Sequence, residues 1–259
     1  MKKQELSPGV NLYIYDTLPT TMVEARRYAD EGAPSGTVVV ALQQSLGRGR
    51  LGRTWVSDPG NLYATFILRP RIQIKEAGKL SLIVGLALKK VLETYIDSSR
   101  IKLKWPNDAL IDSQKIAGIL IEMIPGTEEG TFALLVGIGI NVLHYPQEVR
   151  YPATSLSEQG IQIDPLQLIQ PLQTELVRLV DDFVHGKYPG WTQDWMNAAY
   201  GVNGPVSLFQ ETDTPMASGT FSGIDSNGSL LIRDEMGDEK AYYVGDVVFG
   251  KIPLKARFA

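Results

Sequence analysis

The chain has 259 residues, 44% of them hydrophobic and 21% charged, with a formal net charge of −4 and no cysteine. That length suffices for a large domain with a small companion, and a pI near 5.3 lacks the basic excess of a bulk nucleic-acid binder. Disulfides, thiolate zinc sites and a cysteine nucleophile are excluded. His144 and His185 show no metal-ligand spacing, so no protein-held metal site is expected.

The N-terminal MKKQELSPGV has lysines with no apolar run behind them, unlike a secretory leader. No stretch approaches the roughly 18 consecutive apolar residues of a membrane span, so a cytoplasmic address without a membrane role is expected. Thr21-Met22-Val23-Glu24 fits a capping box that opens a first helix. Residues 37–42 (TVVVAL) and 62–68 (LYATFIL) read as buried strands. Between them, residues 43–61 are rich in Gly and Arg without periodicity, the mark of a long functional loop. Leu80, Ile83, Val84, Ala87, Leu88 and Val91 recur at helical spacing. Apolar runs at 101–105, 109–111, 115–124 and 131–142, broken at DSQ and PGTEEG, predict hairpins in an antiparallel or mixed sheet. Asp164 as N-cap and Pro165 at the first helical position open another helix, whose apolar stripe runs from Leu168 to Phe183. Beyond residue 200, PVSLF, ASGTFSGI, SLLIRDE and EKAYYVGDVVF, separated by DSNG and MGD, predict a small all-β barrel. The expected organisation is an α/β domain over 1–200, a mixed central sheet with packed helices, followed by a small β domain over 201–259.

Three segments carry chemistry. In Gly47-Arg48-Gly49-Arg50-Leu51-Gly52-Arg53-Thr54-Trp55, glycines let the backbone fold closely round a ligand and present N–H groups to an anion. The arginines add permanent charge and bidentate donors, and Trp55 offers a flat face for stacking. In Lys104-Trp105-Pro106-Asn107-Asp108, Asn-Asp after Pro reads as a turn as readily as a site. Downstream, Lys115 opens an apolar strand, where a desolvated ammonium binds anions well, and Gly118 leaves room for close approach. In Gly137-Ile138-Gly139-Ile140-Asn141, alternate glycines bare one face of a strand, as a pocket floor or for tight packing against a helix.

Together, in this order, GRGRLGRTW, KWPND with KIAGIL, and GIGIN resemble the biotin–protein ligase family, and Ala153-Thr154-Ser155-Leu156 is similar to a fourth family motif. The resemblance runs from about residue 12 to residue 250. It implies a catalytic domain like that of class II aminoacyl-tRNA synthetases and a C-terminal SH3-like barrel. It further implies that Thr20, Thr21 and Gln44 bind the ureido end of biotin, and that Arg48 and Arg50 lie in the loop over biotin and the adenylate phosphate. Gly118, Leu120 and Gly137 wall the biotin pocket. Lys115 contacts the carboxylate and α-phosphate, while Arg50, Arg53, Trp55, Asn107 and Asn141 face the nucleotide. Lys115, Arg50 and Asp108 are the expected catalytic residues. One departure stands out: an element that in the family often reads Asp-Ser-Thr-Asn is here Pro19-Thr20-Thr21-Met22, and Thr20 and Thr21 have a rival role as helix caps.

The implied reaction joins biotin to ATP. The carboxylate attacks the α-phosphorus, pyrophosphate leaves, and a carrier lysine then takes the biotinoyl group from AMP. Arginines, Lys115, backbone N–H groups and magnesium would offset the repulsion of two anions in a water-poor site. The expected partner is the biotin carboxyl carrier protein or domain of a carboxylase. Family members are often dimers, so a homodimer is a further expectation. Only about ten residues precede the first expected strand, too few for a winged helix-turn-helix, so no DNA-binding role is expected. A lipoate- or octanoyl-protein ligase is disfavoured by the missing Arg-Arg…Gly-Gly-Gly pattern. A non-catalytic sensor is disfavoured by the intact Lys115, Arg48 and Arg50, and an RNA-binding role by the acidic pI.

Overall fold

The computed structural model describes residues 1–72, 76–125, 132–147, 151–210 and 214–250. Its main sheet has eight strands: β1 (Lys2–Ser7), β2 (Val10–Leu18), β3 (Val38–Gln44), β4 (Leu62–Leu68), β5 (Ile101–Lys104), β6 (Asp108–Ile111), β7 (Gln114–Pro125) and β8 (Phe132–Ile140). They are ordered β1-β2-β3-β4-β8-β7-β6-β5, and β2 with β3 is the parallel pair in an otherwise antiparallel sheet. A parallel pair needs a crossover, and α1 (Thr21–Asp30) provides it.

The apolar alternation assigns each face. Even-numbered residues of β8, from Phe132 to Ile140, join β3, β4, α2 (Ala77–Leu92) and α3 (Ile169–Val184) in the larger core. Odd-numbered Ala133 and Leu135 join Val39, Ile67 and the α1 residues Met22, Ala25 and Tyr28 in a smaller one. The helix-covered face is closed, whereas α1 covers only part of the opposite face. α4 (Trp191–Ala198) packs Trp195 into the larger core and leads into the small sheet.

The small sheet holds β9 (Pro205–Phe209), β10 (Ala217–Ile224), β11 (Leu230–Arg233), β12 (Glu239–Tyr242) and β13 (Asp246–Phe249), ordered β12-β11-β10-β9-β13 and antiparallel throughout. Val206, Leu208, Phe221 and Val247 extend the larger core, so one continuous apolar cluster spans both sheets. Trp105 Nε1 donates to Gly228 O at 3.0 Å, tying the KWPND turn to the β10–β11 turn.

Several local expectations are corrected. The helix cap is Thr20, not Thr21: Thr20 Oγ1 accepts from Met22 N, and Glu24 bonds Arg27 and Tyr15 instead of closing a capping box. β1 precedes the first expected strand; its sequence, KKQELS, is almost wholly exposed and carries no apolar alternation. EKAYYVGDVVF is two strands, broken at Gly245, whose φ of 136° no ordinary strand residue adopts. The DSQ break is a tight hairpin with Asp112 and Ser113 both left-handed (φ 48° and 68°), as a two-residue primed turn demands. The PGTEEG break falls mostly outside the described residues. Among the described residues no helix is long and apolar enough to cross a membrane.

Leu176 on α3 is fully buried in the larger core, where α3 packs on α2. Leu176→Ala should therefore cost about 2–5 kcal/mol, read as a lowered midpoint in urea unfolding with an unchanged slope.

Candidate functional site

The uncovered part of the α1-side face forms a cleft, and the sheet register shows what lines it. Lys104 pairs with Asp108, Asp108 with Gly118, Gly118 with Gly139, and Gly139 with Tyr63. Residues opposite one another in a ladder share a face, so two charged side chains stand at one end of this row and two glycines form its middle. The next row runs Leu120–Gly137–Thr65, beside α1.

The glycines are required by a close approach. The indole of Trp55 lies over them, so that a Cβ on Gly139 would fall 2.5 Å from Trp55 Cε2, and one on Gly118 would fall 2.8 Å from Trp55 Cζ3. The alternate glycines thus serve as a floor beneath an aromatic ring. Trp55 Nε1 is buried without a hydrogen-bond partner, an orphaned donor of the kind that a ligand acceptor would satisfy.

Lys115 reaches the cleft because β7 is irregular. Ala117 pairs with Ala109, but Leu110 pairs with Lys115, so Ile116 is an extra residue. Ile116 and Ala117 both point into the larger core. Simple alternation would send Lys115 into that core with Ala117 and Ile119. The bulge turns it to the other face instead, where its Nζ lies 2.7 Å from Asp108 Oδ1 and 5.2 Å from the Trp55 ring. The bulge is pinned from outside the sheet. Lys115 N donates to Pro152 O, Thr154 N donates to Lys115 O, and Asn141 Nδ2 bonds the carbonyls of both Lys115 and Thr154.

The Gly/Arg segment is a small hairpin and not an irregular loop. Trp55 N donates to Gly47 O, Gly49 N to Arg53 O, and Arg48 bridges Thr54. Its tip holds Leu51 in the left-handed region at φ 54°, a conformation that costs a branched residue on the order of 1 kcal/mol. Every arginine is paired. Arg48 meets Glu122 at 2.9 Å, Arg53 meets Asp246 at 2.8 Å, and Arg50 lies between Asn107 Oδ1 at 3.2 Å and Asp246 at 3.7 Å. Burial lowers the Arg50 pKa against the opposing pull of Asp246.

At the α1 end a directed chain of hydrogen bonds joins three elements. Thr65 Oγ1 donates to Thr21 Oγ1, which with Thr21 N donates to Gln44 Oε1. Gln44 Nε2 then donates to Ser57 Oγ, which donates to Trp55 O. The chain couples the start of α1 to the base of the arginine hairpin.

Residues 17–141 match the biotin/lipoate A/B protein ligase family and residues 211–250 match the biotin protein ligase C-terminal domain. The chain is 33% identical over 240 residues to the bifunctional ligase/repressor of Bacillus subtilis, covering 90% of this chain and 73% of that one. To the biotin–[acetyl-CoA-carboxylase] ligase of Paracoccus denitrificans it is 32% identical over 238 residues, covering 89% and 97%. The chain belongs to the biotin–protein ligase family. A solved biotin protein ligase from Aquifex aeolicus, in complex with biotin and ATP, superposes with a TM-score of 0.75 at 28% identity, over 93% of this chain and 99% of that one.

Of the residues that the family resemblance singled out, Thr20, Thr21, Gln44, Arg48, Arg50, Arg53 and Trp55 line the cleft together with Asn107, Asp108, Lys115, Gly118, Leu120 and Gly137. Asn141 does not line it: its amide is spent on the two carbonyls that hold the bulge. Sequence reasoning passed over Thr65, Ser57 and Asp246, and gave Lys104, which opens the KWPND segment, no role of its own. Of these Thr65 had a signal, a hydroxyl inside a wholly buried strand that must find a partner. Magnesium, which the family implies with ATP, finds no cage. Among the described residues no three His, Asp or Glu side chains converge, and Asp108 and Asp246, the carboxylates bordering the cleft, are held by cations.

Two outcomes follow from this packing. Gly139→Ala should push the Trp55 ring off its floor and red-shift the tryptophan emission, a change absent when the same substitution is made in Trp55→Phe. Asp246→Ala should free the arginine hairpin from the small sheet, so that trypsin cuts at Arg48, Arg50 or Arg53 several-fold faster than in the parent chain.

Proposed function

We propose that this chain is a biotin–protein ligase that activates biotin with ATP as biotinoyl-AMP and passes the acyl group to a lysine of a biotin carboxyl carrier domain. The observation that carries this reading is the convergence of Lys115, turned into the cleft by a bulge, with the arginines of the hairpin above a glycine floor.

Adenylation must bring a carboxylate against a triphosphate. Lys115, Arg48, Arg50 and Arg53 supply cations aimed at one space, with little reorganisation left to the moment of reaction. Their present partners, Asp108, Glu122 and Asp246, are carboxylates that a carboxylate or phosphate could replace oxygen for oxygen. In this reading the biotin ring system lies on the α1 side, against Leu120, Gly137 and the Thr21–Gln44 hydrogen bonds, and the nucleotide lies towards Trp55 and Asn107. Closure of the hairpin keeps water from the mixed anhydride. In the second step the carrier lysine attacks the acyl carbon, AMP leaves, and the lysine proton goes to a base, for which we assign Asp108. Magnesium enters only as the counter-ion of the nucleotide.

The test is exchange of labelled pyrophosphate into ATP, with biotin, lipoate and octanoate in parallel. Exchange with biotin alone is expected, and Lys115→Ala should lower it by about 100- to 1,000-fold. Exchange with lipoate and not biotin would overturn the substrate assignment. A folded chain that binds biotin but exchanges with no acid would make this a sensor.

A further inference from the structure

Lys104 is the buried charged side chain among the described residues, 9% exposed at the end of β5. It borders the cleft, yet the reaction as derived above gives it no task. Its backbone is opposite Asp108 in the ladder, so both side chains stand on the cleft face. The carboxylates nearby are engaged elsewhere, Asp108 with Lys115 and Asp246 with Arg50 and Arg53. The Lys104 ammonium instead lies 3.7 Å over the ring of Tyr151. This buried ammonium rests on an aromatic face beside a carboxylate held by another lysine, and among the described residues it makes no ion pair of its own.

The ligase reading, on which this inference rests, requires Lys115 to leave Asp108 for the biotin carboxylate and the α-phosphate. Asp108 Oδ1 is buried and lacks an aligned hydrogen-bond donor even with Lys115 at 2.7 Å. Left alone, that carboxylate would be an unpaired buried charge, which is strongly unfavourable. We propose that Lys104 is a positioning residue that takes over Asp108 when Lys115 turns to the bound anion. The exchange keeps Asp108 ionised, ready to accept the carrier lysine's proton, and lowers the cost of drawing Lys115 away. It also balances the row: Lys104, Asp108 and Lys115 together carry one net positive charge, which a bound carboxylate neutralises.

The groups that face Lys104 are Asp108 from β6, Lys115 from β7, Asp246 from β13, Arg53 from the hairpin and the ring of Tyr151. Burial is the largest influence and moves the ammonium down to about 8, with Lys115 and Arg53 acting in the same direction and Asp108 and Asp246 against it. A lowered lysine pKa means that the charge is present below that value and fades as pH rises through it, so the exchange fails on the alkaline side.

The experiment measures biotin affinity and biotin-dependent pyrophosphate exchange of the whole chain from about pH 6.5 to 9.5, a window set by this lysine range, for the parent, Lys104→Met and Lys104→Arg. The parent should lose affinity as pH rises through about 8, by about tenfold per unit of lost protonation. Lys104→Met should bind about 10- to 100-fold more weakly at neutral pH and lack that alkaline limb, since its side chain carries no charge to lose. Lys104→Arg should keep the neutral-pH affinity and show no limb in this window, since guanidinium stays charged. A Lys104→Met chain with the parent's affinity and the parent's limb would overturn the proposal. If that variant does not fold, an unmoved limb in Lys104→Arg overturns it instead. A parent that binds biotin but does not exchange would count against the ligase reading alone, with the affinity limb still deciding the role of Lys104. A parent that does neither overturns both.

Discussion

The cleft depends on the pairing of its cations with the protein's own carboxylates. Arg48, Arg50, Arg53 and Lys115 are drawn towards one space, where four uncompensated charges would repel one another and lose hydration. Glu122, Asp246 and Asp108 relieve both costs. Each carboxylate comes from a different element, the outer stretch of β7, the start of β13 and the start of β6. The charge balance of the site therefore also ties the hairpin to both sheets. An anionic substrate does not enter a field of bare charge. It competes with partners already in place, and its net gain is the difference between two sets of ion pairs.

That arrangement explains why the small sheet borders a cleft built on the large one. Asp246 follows Gly245, whose backbone carbonyl takes a second bond from Arg50 at 3.4 Å. The break between β12 and β13 thus presents a carbonyl and a carboxylate together to the hairpin. The apolar cluster shared by the two sheets makes the contact rigid enough to matter, because a loosely tethered β13 would hold Arg53 no better than solvent does.

The sequence was legible where side-chain type and spacing carry the meaning. The arginine–glycine run, Lys115 in its apolar strand and the alternate glycines at 137 and 139 announce themselves, and nearly all the named positions line one cleft. β1 was illegible because a solvated edge strand such as KKQELS has no apolar alternation. α4 was illegible because eight residues are too few to display a period. Asn141 looked like a ligand reader because a polar residue closing a glycine-rich strand invites that reading. Its amide instead satisfies two backbone carbonyls, a role that depends on where residues 152–154 pass in space. Asp246 gave no signal, and Lys104 only its place in KWPND, because their importance lies in what faces them from distant segments.

The extra residue in β7 has a consequence for how such a site can vary. The step from Lys115 to Gly118 is an odd count of residues, so plain alternation would place the two on opposite faces, and the bulge at Ile116 is what brings both to the cleft. Substituting Ile116 changes packing but preserves the count. Deleting it makes the count even, and plain alternation would then keep the lysine on the cleft face without the bulge. Absorbing Ile116 into the ladder with the count unchanged is what would turn the lysine into the helix-covered core. The orientation is therefore held by the bonds of residues 152–154 and Asn141 to this stretch, and substitutions at Ile116 alone would pass over it.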